Sequence, residues 1–330
     1  MTTPTPSTSL ATLRPDLAEF TQFNLVAARQ GFIGNLAAPV IDVALQADSP
    51  GKIPLEQLLQ GGDGTETHRA SGAGYARGNF TFTNFSYATQ EHGWEETLDD
   101  REVQRYRHLI DAERVAVDRA THRVLLNAEK RVADSIFNTT TWNGAALTTA
   151  VGTVWTDHAG ADPIANVEAA VKKVRENSGL MANALVLSWD RFRDLRQCDK
   201  VIEAIVSSGA GDPAKASDIN AQMLARVFDL DMVLVGGAIR NTAAKGLARS
   251  LSSVWNATMA MVCRVAVTGD IREPCIARTF HWSEDGSTPG GTVEEYRDET
   301  VRGRVIRVRH DVDEVVMYAE AGHLLTAVAA

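Results

Sequence analysis

Residues 162–189 read DPIANVEAAVKKVRENSGLMANALVLSW, and their punctuation decides the fold. Asp162 is a helix cap, and Pro163 suits the first helical position. Ile164, Val167, Ala170, Val171 and Val174 then share one face. Asn177-Ser178-Gly179 is an exit signal. Ala184-Leu185-Val186-Leu187 reads as a short buried strand, and Ser188 caps a second helix that buries Phe192 and Leu195. Ile202 and Ile205 follow. A third helix is expected from near Ser217, with Ile219, Met223, Leu224, Val227 and Phe228 at core spacing. Met232–Val235 is a second apolar strand, closed by Gly236-Gly237. The order helix, strand, helix, helix, strand predicts a compact α/β layer.

Upstream, the pattern changes twice. Residues 1–12 are rich in Thr, Ser and Pro, the composition of a flexible arm. Residues 15–30 are expected to form a short helix through Leu17, Phe20, Leu25 and Val26, and 32–43 reads as extended. Residues 47–92 crowd glycines between Gly51 and Gly78 and hold few large apolar residues between Leu59 and Phe80. Such a stretch has little to bury by itself, so it is either disordered or a hairpin whose partner is another chain. The alternation Phe80-Thr81-Phe82, then Phe85 and Tyr87, favours a strand on the return limb. Val103, Tyr106, Ile110, Val117, Val124, Ala128, Val132 and Ile136 predict one long helix over 99–137, with a break possible near Arg107-His108. It is not a sustained a/d heptad.

Downstream of residue 267 the chain reads β again. Strands are expected at 277–282, 293–297, 305–309 and 315–318, with a loop at 283–291. No internal repeat is visible.

The chain has 330 residues and a formal net charge of -9. That length suits about two domains. The acidic balance argues against a protein that grips nucleic acid through a broadly basic surface. Cys198, Cys263 and Cys275 are odd in number and scattered, which suits inert thiols in a reducing compartment. No apolar run approaches the ~18 residues that span a bilayer. The N-terminal residues do not read as a signal peptide.

The chemical motifs are weak. Gly72-Ala73-Gly74-Tyr75-Ala76-Arg77-Gly78 misses the dinucleotide-loop spacing, and neither an apolar strand precedes it nor a helix follows. Gly236-Gly237 lacks the Lys-Ser/Thr of a phosphate loop. His310-Asp311-Val312-Asp313-Glu314 splits its metal-ligating side chains between two faces and is expected to be a solvated turn. No serine-nucleophile motif or acid–base carboxylate pair appears. These readings leave no catalytic, cofactor-binding or metal residue to assign. The acidic patch Glu294, Glu295, Asp298, Glu299 faces the basic set Arg297, Arg302, Arg304, Arg307, Arg309. Two readings stay open: cross-strand pairing within the chain, or complementary charge between subunits.

The wording of three segments is familiar. VRENSGLMANALVLSWDRFRDLR (174–196), LARVFDLDMVLVGGAIRNTAAKG (224–246) and VWNATMAMV (254–262) resemble the axial domain of tailed-phage major capsid proteins of the Hong Kong 97 type. The likeness extends more weakly over most of the chain. It implies an α+β fold in four parts. These are an N-terminal arm (1–46) lying across a neighbouring subunit, an extended β-hairpin loop (47–92), a discontinuous peripheral domain (93–160 and 268–330) crossed by the long spine helix, and an α/β axial domain (161–267). It also implies a structural role without cofactors: hexamers and pentamers of an icosahedral shell around double-stranded DNA, held without sequence-specific binding. Expected partners are other copies, a portal, and separate scaffolding or decoration proteins, with assembly in the host cytoplasm and no membrane.

Candidate inter-subunit contacts are Phe80, Phe82, Phe85, Glu294, Glu295, Arg302, Arg304 and Arg307. An encapsulin-like compartment is the alternative within the fold, and an α/β enzyme the alternative outside it. Some members crosslink a loop lysine to a neighbour's asparagine. Lys52 is the only lysine between residues 31 and 129 and sits at the loop's edge, so a non-covalent shell is expected. Some members also lose an N-terminal scaffolding segment. Here arm and hairpin start early, so residues 1–30 are expected to be kept.

Overall fold

A computed structural model describes residues 12–13, 29–52, 54–62, 65, 67–79, 81–106, 111–207, 219–244 and 246–329. The helix expected over 15–30, the break near Arg107-His108, the start of the third axial helix and Phe80 lie wholly or mainly outside these residues. The chain begins with strand β1 (Thr12–Leu13), the short helix α1 (Gly34–Ala37) and strand β2 (Val40–Val43). The extended reading of 32–43 is thus corrected to a helical turn followed by a strand. Phe32 packs on the core there, and Ile33, Ala37 and Ala38 are buried in it.

Residues 47–92 form a hairpin whose described limbs pair near the base and meet again at Gln57 and Thr81, where Thr81 N donates to Gln57 Oε1 at 2.8 Å. Strands β3 (Ala47–Asp48) and β4 (Gly51–Lys52) lead out past helix α2 (Leu55–Leu59). Strands β5 (Thr83–Asn84) and β6 (Tyr87–Ala88) return, β6 on β3 and β5 on β4. The described residues 67–79 and 81–84 are all exposed. Strand β7 (Gln90–Asp99) already belongs to the body, so the return limb ends before residue 92.

The helical stretch expected over 99–137, with a break near Arg107-His108, holds α3 (Asp100–Tyr106) and α4 (Ala112–Ile136), and residues 107–110 lie outside the described ones. Asp111 caps α4, its carboxylate accepting from Arg114 N at 3.4 Å. The 25 residues of α4 span about 37 Å at the standard rise. Ala116, Val117, Ala120 and Val124 pack on Val293, Ile306 and Val308 of one sheet. Val132, Ala133 and Ile136 pack with Val186, Leu234, Met261 and Leu324 of the other. One helix therefore ties two sheets together.

The second layer runs β8 (Thr148–Ala150), α5 (Pro163–Ser178), β9 (Ala184–Ser188), α6 (Trp189–Leu195), α7 (Asp199–Ser207), α8 (Ala221–Val227) and β10 (Met232–Gly236). The residues do what their chemistry predicts. Asp162 accepts from Ala165 N at 3.0 Å, Pro163 opens α5, and Gly179 closes it at φ 68°, a left-handed value natural for glycine. Ser188 and Asn220 cap α6 and α8. β9 and β10 pair in parallel, Leu185 opposite Val233, joined by a long crossover that includes α6, α7 and α8. The ribbon β11 (Ile239–Asn241)–β12 (Leu251–Ser253) stands apart from both sheets, and β13 (Met259–Cys263) then pairs with β9.

Strands β14 (Ala277–Trp282), β15 (Thr292–Asp298) and β16 (Gly303–Val316) build the first sheet with β1, β2 and β7. The two strands expected at 305–309 and 315–318 are one. His310–Glu314 is accordingly mid-strand, not a solvated turn. His310 and Glu314 are partnered from other elements, which hydropathy alone does not register. His310 Nδ1 meets Pro289 O at 3.1 Å, and Arg131 of α4 grips Glu314 through both Nε and a terminal nitrogen at 2.8–3.0 Å. Burial pushes the His310 imidazole down to about 4.

The last strand, β17 (Gly322–Thr326), crosses back. It pairs with β13 and β8, giving the order β10-β9-β13-β17-β8. The second sheet therefore includes 148–150 and 322–326, segments outside the 161–267 span that the resemblance implies for the axial part. A sheet is completed by any segment the chain can bring alongside, however distant in sequence.

Candidate assembly surfaces

Among the expected contact residues, the hairpin aromatics split. Phe82 is 61% exposed. Phe85 is half-buried and stacks on Phe280 at 5.8 Å, with Tyr87 on the same ring at 4.6 Å. Phe85 therefore anchors the hairpin to its own subunit, whereas Phe82 stays largely exposed. Phe82 and Phe85 line a notch of about 280 Å³ with Ile271, Pro274, Met317 and Tyr318. Lys52 lies beside it, donating to Met317 O and sitting 4.6 Å from the Tyr318 ring centroid. Phe80 falls outside the described residues.

The charged set is a ladder across β15, β16 and β7. Buried Glu294 accepts from Arg307 Nε at 2.8 Å and Arg309 Nε at 2.9 Å. Burial pushes its carboxyl up, but the two arginines outweigh that and hold it below the ordinary range. Glu295 pairs with Arg304 at 3.2 Å, and Arg304 also reaches Glu113 on α4 at 2.6 Å. The structure thus brings Glu294, Glu295, Arg304 and Arg307 together within one chain. Arg302 stands apart, exposed in the turn before β16 at φ 49°.

Three groups absent from the sequence reading carry the architecture. Glu129 lies on the apolar side of α4, four residues before Ala133 and seven before Ile136. Its carboxylate accepts from Ile33 N at 2.8 Å, Gly34 N at 2.7 Å and Trp255 Nε1 at 2.6 Å. Burial pushes its pKa up against those three bonds. A carboxylate inside an apolar helical stripe was the available signal. Arg278, fully buried, donates to Thr268 O at 2.9 Å and Asp270 O at 2.8 Å, with Glu273 3.6 Å away. Together they fold the 267–274 loop onto β14.

The third group has the outline of a hydrolase triad. His281 Nδ1 lies 2.7 Å from Asp42 Oδ1, and its Nε2 lies 3.1 Å from Ser287 Oγ. That is the order of groups in serine hydrolases. Here it fastens a loop. Ser287 and His281 are buried, which denies a substrate access. Ser287 N donates to Asp285 Oδ1 and Thr288 N to Thr292 Oγ1, each at 2.9 Å, so neither amide is open to an oxyanion. Among the described residues no cluster of three or more His, Cys, Asp or Glu could hold a metal, and no helix is long and apolar enough to cross a membrane. The three cysteines are free and buried, and burial pushes the Cys198 thiol up to about 12.

No family model matches the chain. It is 27% identical over 212 residues to the major capsid protein of Burkholderia phage BcepMu, covering 63% of this chain and 64% of that protein. The alignment thus spans slightly less than two thirds of the relative's length. Among solved structures, a phage-related protein from Bordetella bronchiseptica matches with a TM-score of 0.67 at 21% identity, over 97% of this chain and 98% of that one. The capsid of cyanophage P-SCSP1u matches with a TM-score of 0.58 at 7% identity, over 88% and 86%. The chain has the Hong Kong 97-type α+β capsid fold, and its sequence relatives are phage major capsid proteins.

Proposed function

We propose that this chain is the major capsid protein of a tailed double-stranded DNA phage, a structural rather than catalytic component of the virion shell. The observation that carries the reading is the hairpin. Its described residues between 67 and 84 bury nothing, yet its base is pinned to the body through Phe85, Tyr87 and Lys52. A limb fixed at its root, with residues 67–79 and 81–84 exposed, is suited to lie on another copy. Closed hexamers and pentamers of such subunits gain stability from many modest contacts made at once. The shell would enclose DNA, carry a portal at one vertex, and use separate scaffolding or decoration proteins, assembling in the host cytoplasm. Phe82, Arg302 and the outer groups of the charged ladder are the side chains proposed to meet neighbours.

Electron microscopy of the purified full-length protein tests this. Icosahedral shells are expected from the intact chain, and none from a chain lacking residues 55–85 that remains folded by circular dichroism. Normal shells from the deletion would refute the role given to the hairpin. Shells filled with a protein cargo would shift the reading to an encapsulin-like compartment.

A further inference from the structure

The capsid reading leaves open which face meets the genome. A cleft of about 480 Å³ runs between the outer side of α4 and the free-standing ribbon β11–β12. Arg119, Arg123 and Lys130 line it from the helix, Arg240 from the ribbon, and Trp94 and Glu96 from β7. Arg119 and Arg123 are four residues apart and Lys130 seven further on, so all three project from one side of α4.

The charges in the cleft are unbalanced. Glu96 is its one carboxylate, and it is already engaged by Trp94 Nε1 at 3.0 Å and Arg119 at 3.4 Å. Lys130 pairs with Asp134. Arg123 lies 4.6 Å over the Trp94 ring, which orients the guanidinium without neutralising it. Among the described residues neither Arg123 nor Arg240 has a carboxylate partner, and the two stand on opposite walls of the cleft. Asn127 and Asn241 add neutral donors. In a chain of net charge -9, where the sheet arginines Arg304, Arg307 and Arg309 are paired, the cleft sets two guanidinium groups against each other without a carboxylate between them.

Resting on the capsid reading, we propose that this cleft is a phosphate-backbone site for the packaged duplex, and that the α4–ribbon face is therefore lumenal. Guanidinium forks match phosphate oxygens, and nothing in the cleft reads base edges, so binding is independent of sequence. The helix side from Arg119 to Lys130 is about 16 Å long and faces on the order of ten phosphates of a duplex. Few cations per subunit make each contact weak. That suits a coat which must contain its genome and later release it. The acidic whole-chain charge and the basic cleft are then complementary, one limiting general adhesion and the other placing contact on one face.

The test is fluorescence anisotropy of the full-length, unassembled subunit with short duplexes of two unrelated sequences, at about 50 and 200 mM salt. Equal affinity for both sequences is expected, with a fall of roughly 12- to 150-fold across that salt range, as two to four phosphate contacts require. Arg123→Gln with Arg240→Gln should reduce the log–log salt slope by about two, and Arg123→Lys with Arg240→Lys should restore it. Thermal melting checks that each variant is folded. Absence of salt-dependent binding, or an unchanged slope in the Gln pair, overturns the assignment. So does tighter binding of poly-glutamate than of duplex, which would make the face a dock for an acidic protein. Shell formation is scored separately by electron microscopy: wild-type shells with no such DNA binding sink the cleft alone, and failure to form shells removes the reading beneath it.

Discussion

Glu129 and Trp255, 126 positions apart in the chain, are joined by a buried 2.6 Å hydrogen bond from the indole Nε1 to the carboxylate. The same carboxylate holds Ile33 N and Gly34 N. One side chain thereby fixes the entry of the N-terminal segment, the long helix and the axial layer at a single point. Glu129→Ala leaves three buried donors unpaired and is expected to cost about 3 kcal/mol or more. Glu129→Gln keeps one acceptor oxygen but sets an amide donor against another N–H, and should lose about 1–2 kcal/mol. Urea denaturation of the unassembled subunit checks both. Equal stability of wild type and the alanine variant would refute the three-way role.

Beside that junction the backbone of Gly236 lies against the indole. A Cβ there would stand 2.2 Å from Trp255 Cδ1, and Trp255 is fully buried. Gly236→Ala must push the ring or the strand aside. A loss of about 1–3 kcal/mol is expected, as for overpacked cores, with changed tryptophan fluorescence. A variant as stable as wild type with an unchanged spectrum would show that the approach is looser than described.

Glu273 supplies a pH-dependent clamp. Burial pushes its carboxyl up, but hydrogen bonds from Val267 N, Thr268 Oγ1 and Thr268 N, with the Arg278 charge, overcome this and hold it at about 2 against an ordinary 4.5. A depressed value means the unfolded chain binds the proton more readily. The stabilisation is therefore complete above pH 4.5 and is lost as pH falls towards 2. Its size is on the order of 2 kcal/mol once solvent screening is allowed for. The stability gap between wild type and Glu273→Gln should be present at neutral pH and close across that acid window. A gap independent of pH would contradict the clamp.

Lys52 is committed inside its own subunit, to Met317 O and the Tyr318 ring, at the root of the hairpin. A lysine held there cannot reach the asparagine of a neighbour from the loop's tip. The shell is expected to dissociate to single subunits on denaturing gels. Ladders of linked subunits that persist with reductant would refute this.

The axial layer was legible in the sequence because its signals are local. Asp162, Pro163 and Gly179 punctuate α5 by their own backbone chemistry, and the runs 184–187 and 232–235 are apolar on both faces because helices cover them. The wording of 174–262 carried the family resemblance, and the bare hairpin was readable as a shortage of apolar residues. The cleft between α4 and β11 was not legible. Arg240 is more than a hundred positions from Arg119 and Arg123, and a charge becomes part of a site only when its neighbours leave it unpaired.

By itself the sequence determined the elements whose cause lies within a turn or a strand: caps, periodicities, apolar runs and the absence of a catalytic motif. Only the tertiary structure decided the rest. It made one strand of 303–316, because Arg131 and Pro289 supply partners for Glu314 and His310. It sent 322–326 back to complete the axial sheet, and it turned Glu129 from an oddity on an apolar face into a junction. The physical reason is the same each time. A buried polar group is tolerable only with a partner, and a strand is stable only with a neighbour. In this chain those partners come from distant segments that only the fold brings near.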